Sequence, residues 1–162
     1  MNSKELFVRD TTVIKQSDNL YTAEVSENWS IGNTANGGYS MTLAAKAMSE
    51  FLEHKDPLSI SAHYLDRVDF GSTEFHVTHL SSSKSLSTAR VELIQDNKIK
   101  IIFVGTFTDF SFKNDMNIYE RDVPNFPEYN SCEVIPYKEG FNPKLDKNIE
   151  KAYAQDSLWW KK

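Results

Sequence analysis

Asn36-Gly37-Gly38-Tyr39-Ser40-Met41-Thr42-Leu43-Ala44-Ala45-Lys46-Ala47-Met48-Ser49-Glu50-Phe51-Leu52-Glu53 is the stretch whose periodicity decides the fold. Met41, Ala44, Ala45, Met48 and Leu52 recur at helical spacing, with Lys46, Glu50 and Glu53 on the polar side, which predicts one long Ala-rich helix from Tyr39 to about Glu53. His54-Lys55-Asp56-Pro57 ends it, because the residue before a proline is pushed out of the α region. On the other side, Ile31 to Gly38 is a run of small and turn-forming residues. It reads as a loop that feeds the helix and lets another chain approach its backbone closely.

Outward from this helix the period changes from 3.6 to 2. Leu20 to Val25 alternates after the turn-prone Ser17-Asp18-Asn19 and predicts a first strand. Beyond Pro57, Leu58, Ile60, Ala62 and Tyr64 share one face of a strand, with Ser59, Ser61, His63 and Leu65 on the other. Thr73–Leu80, Leu86–Gln95 and Lys98–Phe110 follow as strands, joined by Ser81-Ser82-Ser83-Lys84 and by the tight turn Asp96-Asn97. A hairpin meander of this kind is antiparallel. Ile101 and Phe103 on one face and Ile102 and Val104 on the other make the last strand central or doubly covered. The fold class is therefore α+β, a long helix wrapped by an antiparallel sheet of five or six strands over residues 1–110.

From 111 to 162 Pro124, Pro127, Pro136 and Pro143 punctuate a polar stretch. It reads as a linker or tail, with a short helix from Lys144 to Ala154 and an apolar end at Leu158-Trp159-Trp160. The two tryptophans mark either a docking segment or a cut edge.

Composition excludes several function classes. The 18 basic and 23 acidic residues are dispersed, for a net charge of −5, so no basic face exists to neutralise a nucleic-acid backbone. Cys132 is the only cysteine, which rules out an internal disulfide and a cysteine metal cluster and fits a reducing, cytoplasmic compartment. Met1 to Asp10 has no apolar core of a secretory signal, and no window approaches the length of a membrane span. His76 and Thr78 share a strand face, with His79 opposite, and two imidazoles without a carboxylate pair make a poor zinc site. Neither a metal nor a cofactor is expected. There is no Gly-x-Ser-x-Gly elbow and no P-loop.

One strand, one long helix opened by Asn36-Gly37-Gly38-Tyr39, and four meandering strands is an order that resembles the hotdog fold of the acyl-CoA thioesterase-like superfamily. The likeness is to the N-terminal hotdog of type II, double-hotdog acyl-CoA thioesterases. Ser61-Ala62-His63-Tyr64-Leu65, Ser85-Leu86-Ser87-Thr88-Ala89-Arg90-Val91, Ile94-Gln95-Asp96-Asn97-Lys98 and the connector-like Pro124-Asn125-Phe126-Pro127 add to it. The resemblance implies hydrolysis of a fatty acyl-CoA thioester to free acid and CoA, with this chain forming one wall of the site. The acid, hydroxyl and amide catalytic residues of those proteins belong to the second hotdog, and none is matched here. Single-hotdog thioesterases carry a carboxylate two turns after the glycine pair, where this chain has Ala45 and Lys46.

Candidate site residues follow from that frame. Gly37 and Gly38 present helix N–H groups to a thioester carbonyl, where the helix dipole favours negative charge. Asn36 either caps the helix or binds the ligand carbonyl. His63 is a candidate base, with Asp66 or Asp69 nearest in sequence to orient it. Tyr39, Ser85, Thr88 and Arg90 are candidate substrate contacts, the last three for the phosphates or pantetheine of CoA. The expected partners are acyl-CoA or a related thioester and a second hotdog, in a homodimer or a longer chain. A reading of a different class is a non-catalytic acyl-binding or oligomerisation module, for which Lys46 in place of a helix acid speaks.

Overall fold

The computed structural model describes residues 2–111, 121–122 and 124–158. Helix α1, Ser3–Asp10, opens the chain, and the expected long helix is α2, Gly37–Phe51. Strands β1, Ile14–Lys15, and β2, Leu20–Val25, precede a 3-10 turn at Glu27–Trp29 and the two-residue strands β3, Ser30–Ile31, and β4, Thr34–Ala35. After α2 come β5, Asp56–Tyr64, β6, Gly71–Ser82, β7, Ser87–Gln95, and β8, Lys98–Thr108. These assemble into one six-stranded antiparallel sheet in the order β1-β2-β6-β7-β8-β5. Helix α2 packs across one face, which is the hotdog arrangement.

Strict alternation explains which face the helix covers. Tyr21, Ala23 and Val25 on β2, Phe75 and Val77 on β6, Ala89, Val91 and Leu93 on β7, and Ile101, Phe103 and Phe107 on β8 are all buried. Against them α2 sets Tyr39, Leu43, Ala44, Ala47 and Met48, a stripe at i, i+4 and i+8 that the small alanines keep close to the sheet. Met41 and Ala45, expected at the centre of the apolar face, lie at its half-buried margin. Ile102 and Val104 are only half-buried, so β8 has neighbours on both edges, while its outer face is only partly covered by the described residues.

Asp96 and Asn97 both adopt positive φ, 49° and 59°, the left-handed pair that a two-residue hairpin turn requires. Strand β5 is an edge: it pairs with β8 on one side, and Leu58 and Tyr64 on it are more than half exposed.

Two parts of the chain differ from the expectation. Asn2 accepts from Glu5 N–H while Glu5 bonds back to Asn2 N–H, a capping box that nucleates α1. The expected helix from Lys144 to Ala154 is absent. A 3-10 turn, Lys144–Lys147, is followed by β10, Lys151–Tyr153, which pairs with β9, Glu133–Ile135. Strand pairing satisfies the backbone that a helix of about three turns would otherwise have closed on itself. Lys144 reaches Glu27, Asn148 Nδ2 donates to Asn28 O at 2.9 Å and Leu145 packs on the core, so the tail docks beside the turn before α2. Trp159 and Trp160 lie outside the described residues.

Candidate functional site

The start of α2 is held by the turn at Glu27–Trp29 and by the end of β5. Asn36 N donates to Trp29 O at 2.9 Å, and its side-chain oxygen accepts from Gly38 N at 2.9 Å and Tyr39 N at 3.2 Å. Asn36 is thus the N-cap, and it occupies one of the two glycine donors expected to face a ligand. Gly37 N–H keeps no partner among the described residues, while its carbonyl accepts from the Tyr64 hydroxyl at 3.1 Å. A Cβ at Gly37 would lie 2.9 Å from the Tyr64 ring, so the glycine allows the end of β5 to come within contact of the helix. Beside it opens a cavity of about 330 Å³ lined by Thr34, Gly37, Ser40, Tyr64, Arg67 and Ile101, among others. Its wall ends at the edge strand.

Tyr39 sits in the core, 3% exposed, rather than in this cavity. Its hydroxyl donates to Asp10 O at 2.6 Å and accepts from Ser26 N at 3.1 Å, and its ring stacks on Trp29 with centroids 6.1 Å apart. Burial pushes the phenol pKa up, so it stays a donor. The carboxylate of Asp10 gathers Arg9 Nε at 2.7 Å, Asn28 Nδ2 at 2.8 Å and Trp29 Nε1 at 3.1 Å. Burial opposes its ionisation, yet the hydrogen bonds led by Asn28 and Arg9 outweigh it and hold its pKa below the usual carboxylate value. This hub, with Phe7 edge-on to Trp29 at 5.1 Å, clamps α1 and the turn before α2 onto the first turn of that helix.

The remaining candidates lie elsewhere. His63 pairs with Ile102 on the outer face of the sheet, opposite to Ile60, Ala62 and Tyr64, which face α2. Thr88 and Arg90 also point outward: Thr88 shares a hydrogen bond with Thr106 at 3.1 Å, and Arg90 is ion-paired with Glu92. Ser85 is in the exposed turn between β6 and β7, its carbonyl accepting from Thr108 at 2.9 Å. The structure therefore brings Asn36, Gly37 and Gly38 together and leaves His63, Ser85, Thr88 and Arg90 on other surfaces. Ala45 is half-buried and Lys46 exposed on the flank of α2 that faces the start of β5, where they line a cavity of about 170 Å³ with Thr42, Ser49 and Lys55. No carboxylate lines that flank, so nothing on it can deprotonate water.

Two polar groups escaped sequence reasoning. His54, which had marked only the helix stop, is 6% exposed, with Nδ1 2.5 Å from Ser87 Oγ and Nε2 3.2 Å from Lys84 O. It ties the end of α2 to the β6–β7 turn. Lys100 is also buried, its Nζ donating to Asp66 at 2.9 Å, and this ion pair lowers the Asp66 pKa. A lysine inside an apolar strand pattern was the available signal, and in the structure it is the residue skipped at the register shift of the β7–β8 ladder.

A family model for the acyl-CoA thioesterase N-terminal domain matches residues 25–109. Among solved structures, a thioesterase II protein of Thermobifida fusca superposes with a TM-score of 0.84 at 20% identity, over 97% of this chain and 58% of that one. A hot dog fold protein of Alicyclobacillus acidocaldarius gives 0.75 at 12% identity, over 87% and 52%. A tesB protein of Mycobacterium avium gives 0.69 at 18%, over 83% and 55%. At these identities the likeness speaks for the fold, and the chain spans a little over half the length of each. No curated protein matches the sequence.

Proposed function

The chain belongs to the acyl-CoA thioesterase N-terminal domain family, and from that premise we propose that it forms one wall of a site hydrolysing fatty acyl-CoA thioesters to free acid and CoA. The observation that carries this is the free Gly37 N–H at the dipole-positive end of α2, next to a cavity that opens at an unpaired sheet edge. A thioester carbonyl oxygen there gains a donor as negative charge develops on it. Water oxygen adds to the carbonyl carbon as its proton passes to a base of the second hotdog, the C–S bond breaks, and the sulfur leaves as the thiol with a proton from that hotdog's acid. The flank of α2 with Ala45 and Lys46 carries no carboxylate among the described residues that line it. The acid and base therefore come from a second hotdog, paired along β5, in a longer chain or in another copy.

No helix among the described residues is long and apolar enough to cross a membrane. A cytoplasmic site of action is proposed on the single, unpaired Cys132.

The test is release of free thiol from a series of acyl-CoA esters, measured for this chain and for a parent that contains a second hotdog. Turnover by the parent and none by the 162 residues supports the shared site. Comparable turnover by the short chain as a monomer refutes it. A non-catalytic acyl-binding module is the second reading, favoured by Asn36 occupying the Gly38 and Tyr39 donors; it requires a parent that binds acyl-CoA without hydrolysing it.

A further inference from the structure

Four side chains form a hydrogen-bonded line from the surface of β6 to a buried histidine past the end of α2, away from the site at Gly37. His54 is 6% exposed, and Ser87 on β7 is wholly buried. His54 Nε2 lies 3.2 Å from Lys84 O. A carbonyl only accepts, so Nε2 carries the proton of the neutral ring and Nδ1 is left as an acceptor. Ser87 Oγ stands 2.5 Å from that Nδ1 and therefore donates to it. Ser87 accepts in turn from Ser82 Oγ at 3.4 Å, the longest link, and Ser82 Oγ meets Nε2 of the exposed His79 at 2.8 Å. With the Ser82 proton turned toward Ser87, His79 Nε2–H donates to Ser82. All three bonds then run inward and end on a basic nitrogen.

The surroundings of His54 are able to carry a charge. It lines a cavity of about 280 Å³ with Glu53 just past α2, Lys55 and Asp56 at the entry to β5, Lys84 from the β6–β7 turn and Asp109 after β8. Lys55 Nζ donates to Ser49 O and Leu52 O, at 2.7 and 2.6 Å, and Asp56 accepts from Phe110 N at 2.8 Å. Hydrogen bonds from Ser111, and to a smaller degree the charge of His54, hold the Asp109 carboxyl below its ordinary pKa. Carboxylates on three sides offset part of the cost of a buried imidazolium. Nδ1, the nitrogen that has to gain the proton, is the one closed off behind Ser87.

We propose that His54 is a buried proton acceptor served by a relay through Ser82 and Ser87, and that its charge sets how firmly the end of α2 is tied to the β6–β7 turn. A proton on His79 Nε2 passes to Ser82 Oγ as Ser82 gives its own to Ser87 and Ser87 gives its own to His54 Nδ1. His79 ends neutral, His54 ends as the imidazolium, and both serines remain hydroxyls. Each bond of the line is kept with its direction reversed. The ties of His54 to Ser87 Oγ and Lys84 O are then charge-assisted, and both strengthen.

The full chain, uniformly labelled with nitrogen-15, is taken from about pH 8 to about pH 5, the range in which histidine changes charge. The ring nitrogens of the four histidines and the amides of the β6–β7 turn are followed. The expected result is an Nε2–H tautomer for His54 at the upper end, protonation at Nδ1 as the pH falls, and Lys84 and Ser85 amides that shift with the same midpoint as the ring. His54→Asn removes that response of the turn. Ser82→Ala, at an exposed position, keeps the fold and cuts the relay, so the single averaged His54 ring signal of the parent splits into separate neutral and charged signals in slow exchange. An Nδ1–H tautomer at the upper end, a ring that stays neutral throughout, or an averaged signal unchanged in Ser82→Ala overturns the relay. Turn amides that shift at another midpoint overturn the tie to α2.

Discussion

Gly105→Ala tests how tightly α2 is seated. Gly105 lies on β8 between Phe103 and Phe107, facing the helix. A Cβ there would sit 2.5 Å from Met48 Sδ, 3.1 Å from the Phe107 ring and 3.4 Å from Ile60 Cγ1. Nonbonded heavy atoms settle at about 3.5–4.0 Å, so the sulfur must retreat by roughly 1 Å. Methionine is adaptable, but Met48 is fully buried between helix and sheet, and its retreat displaces neighbours. Overpacking of this kind costs about 1–3 kcal/mol. Replacing a strand glycine recovers about 0.5–1 kcal/mol of backbone entropy, so an overpacking cost at the middle of that range, about 2 kcal/mol, leaves a net loss of roughly 1–1.5 kcal/mol. For a chain of this length that lowers the melting temperature by about 2–6 °C, read by circular dichroism. Met48→Ala alone costs about 2–5 kcal/mol through the cavity it leaves. In the double variant the added methyl occupies part of that cavity, so the two losses fall short of additivity by about 1 kcal/mol or more. Urea unfolding of all four proteins closes the cycle. A Gly105→Ala protein as stable as the parent, or a cycle additive within about 0.5 kcal/mol, refutes the close seating.

Asp10→Ala strands the Trp29 and Asn28 donors in a buried site and should cost about 2–4 kcal/mol, measured by urea unfolding. The same carboxylate gives a pH signature: its folded pKa is below its unfolded one, so its contribution is full above the unfolded value near 4. It is lost as pH falls through the folded value, and Asp10→Asn should flatten that acid limb. Asn36→Ala removes the cap of α2 and should cost about 1 kcal/mol by thermal unfolding, while freeing Gly38 N–H for a ligand. Self-association through the β5 edge should appear as a dimer in light scattering and be weakened by Leu58→Lys, at an exposed position of that strand; a strict monomer at high concentration counts against pairing there.

The helix, the meander and the positive-φ turn were readable because each is a local pattern: 3.6-residue spacing, alternation, and Asp96-Asn97. What sequence reasoning lost depends on pairing between distant residues. Lys151 to Tyr153 looks helical when continued from Lys144, and it becomes a strand only because Glu133–Ile135 lies alongside. Tyr39 beside two glycines looked like a ligand contact, yet Asp10 and Ser26, 29 and 13 residues earlier, occupy its hydroxyl. Helix α1 was a missed local signal, since Asn2 and Glu5 already stand at capping-box spacing.

The division of candidate residues between the two sheet faces follows from the same alternation that makes the core. On β5, placing Ile60, Ala62 and Tyr64 toward α2 forces Ser61 and His63 outward, and on β7 burying Ala89 and Val91 forces Thr88 and Arg90 outward. His63 lies on the outer face of β5, on the side away from α2. The groups able to work at the helix start are those delivered by segments that leave the sheet there: Asn36 and Gly37 from the loop after β4, Tyr64 at the last residue of β5, and Arg67 on the crossing to β6. Among them are the Gly37 N–H, a phenol and a guanidinium, while the carboxylate among the described residues lining the cavity, Asp66, is held by Lys100. On the proposed reading such a site holds an activated ester and takes its base from across the edge of β5, which joins the edge strand and the helix start into one functional surface.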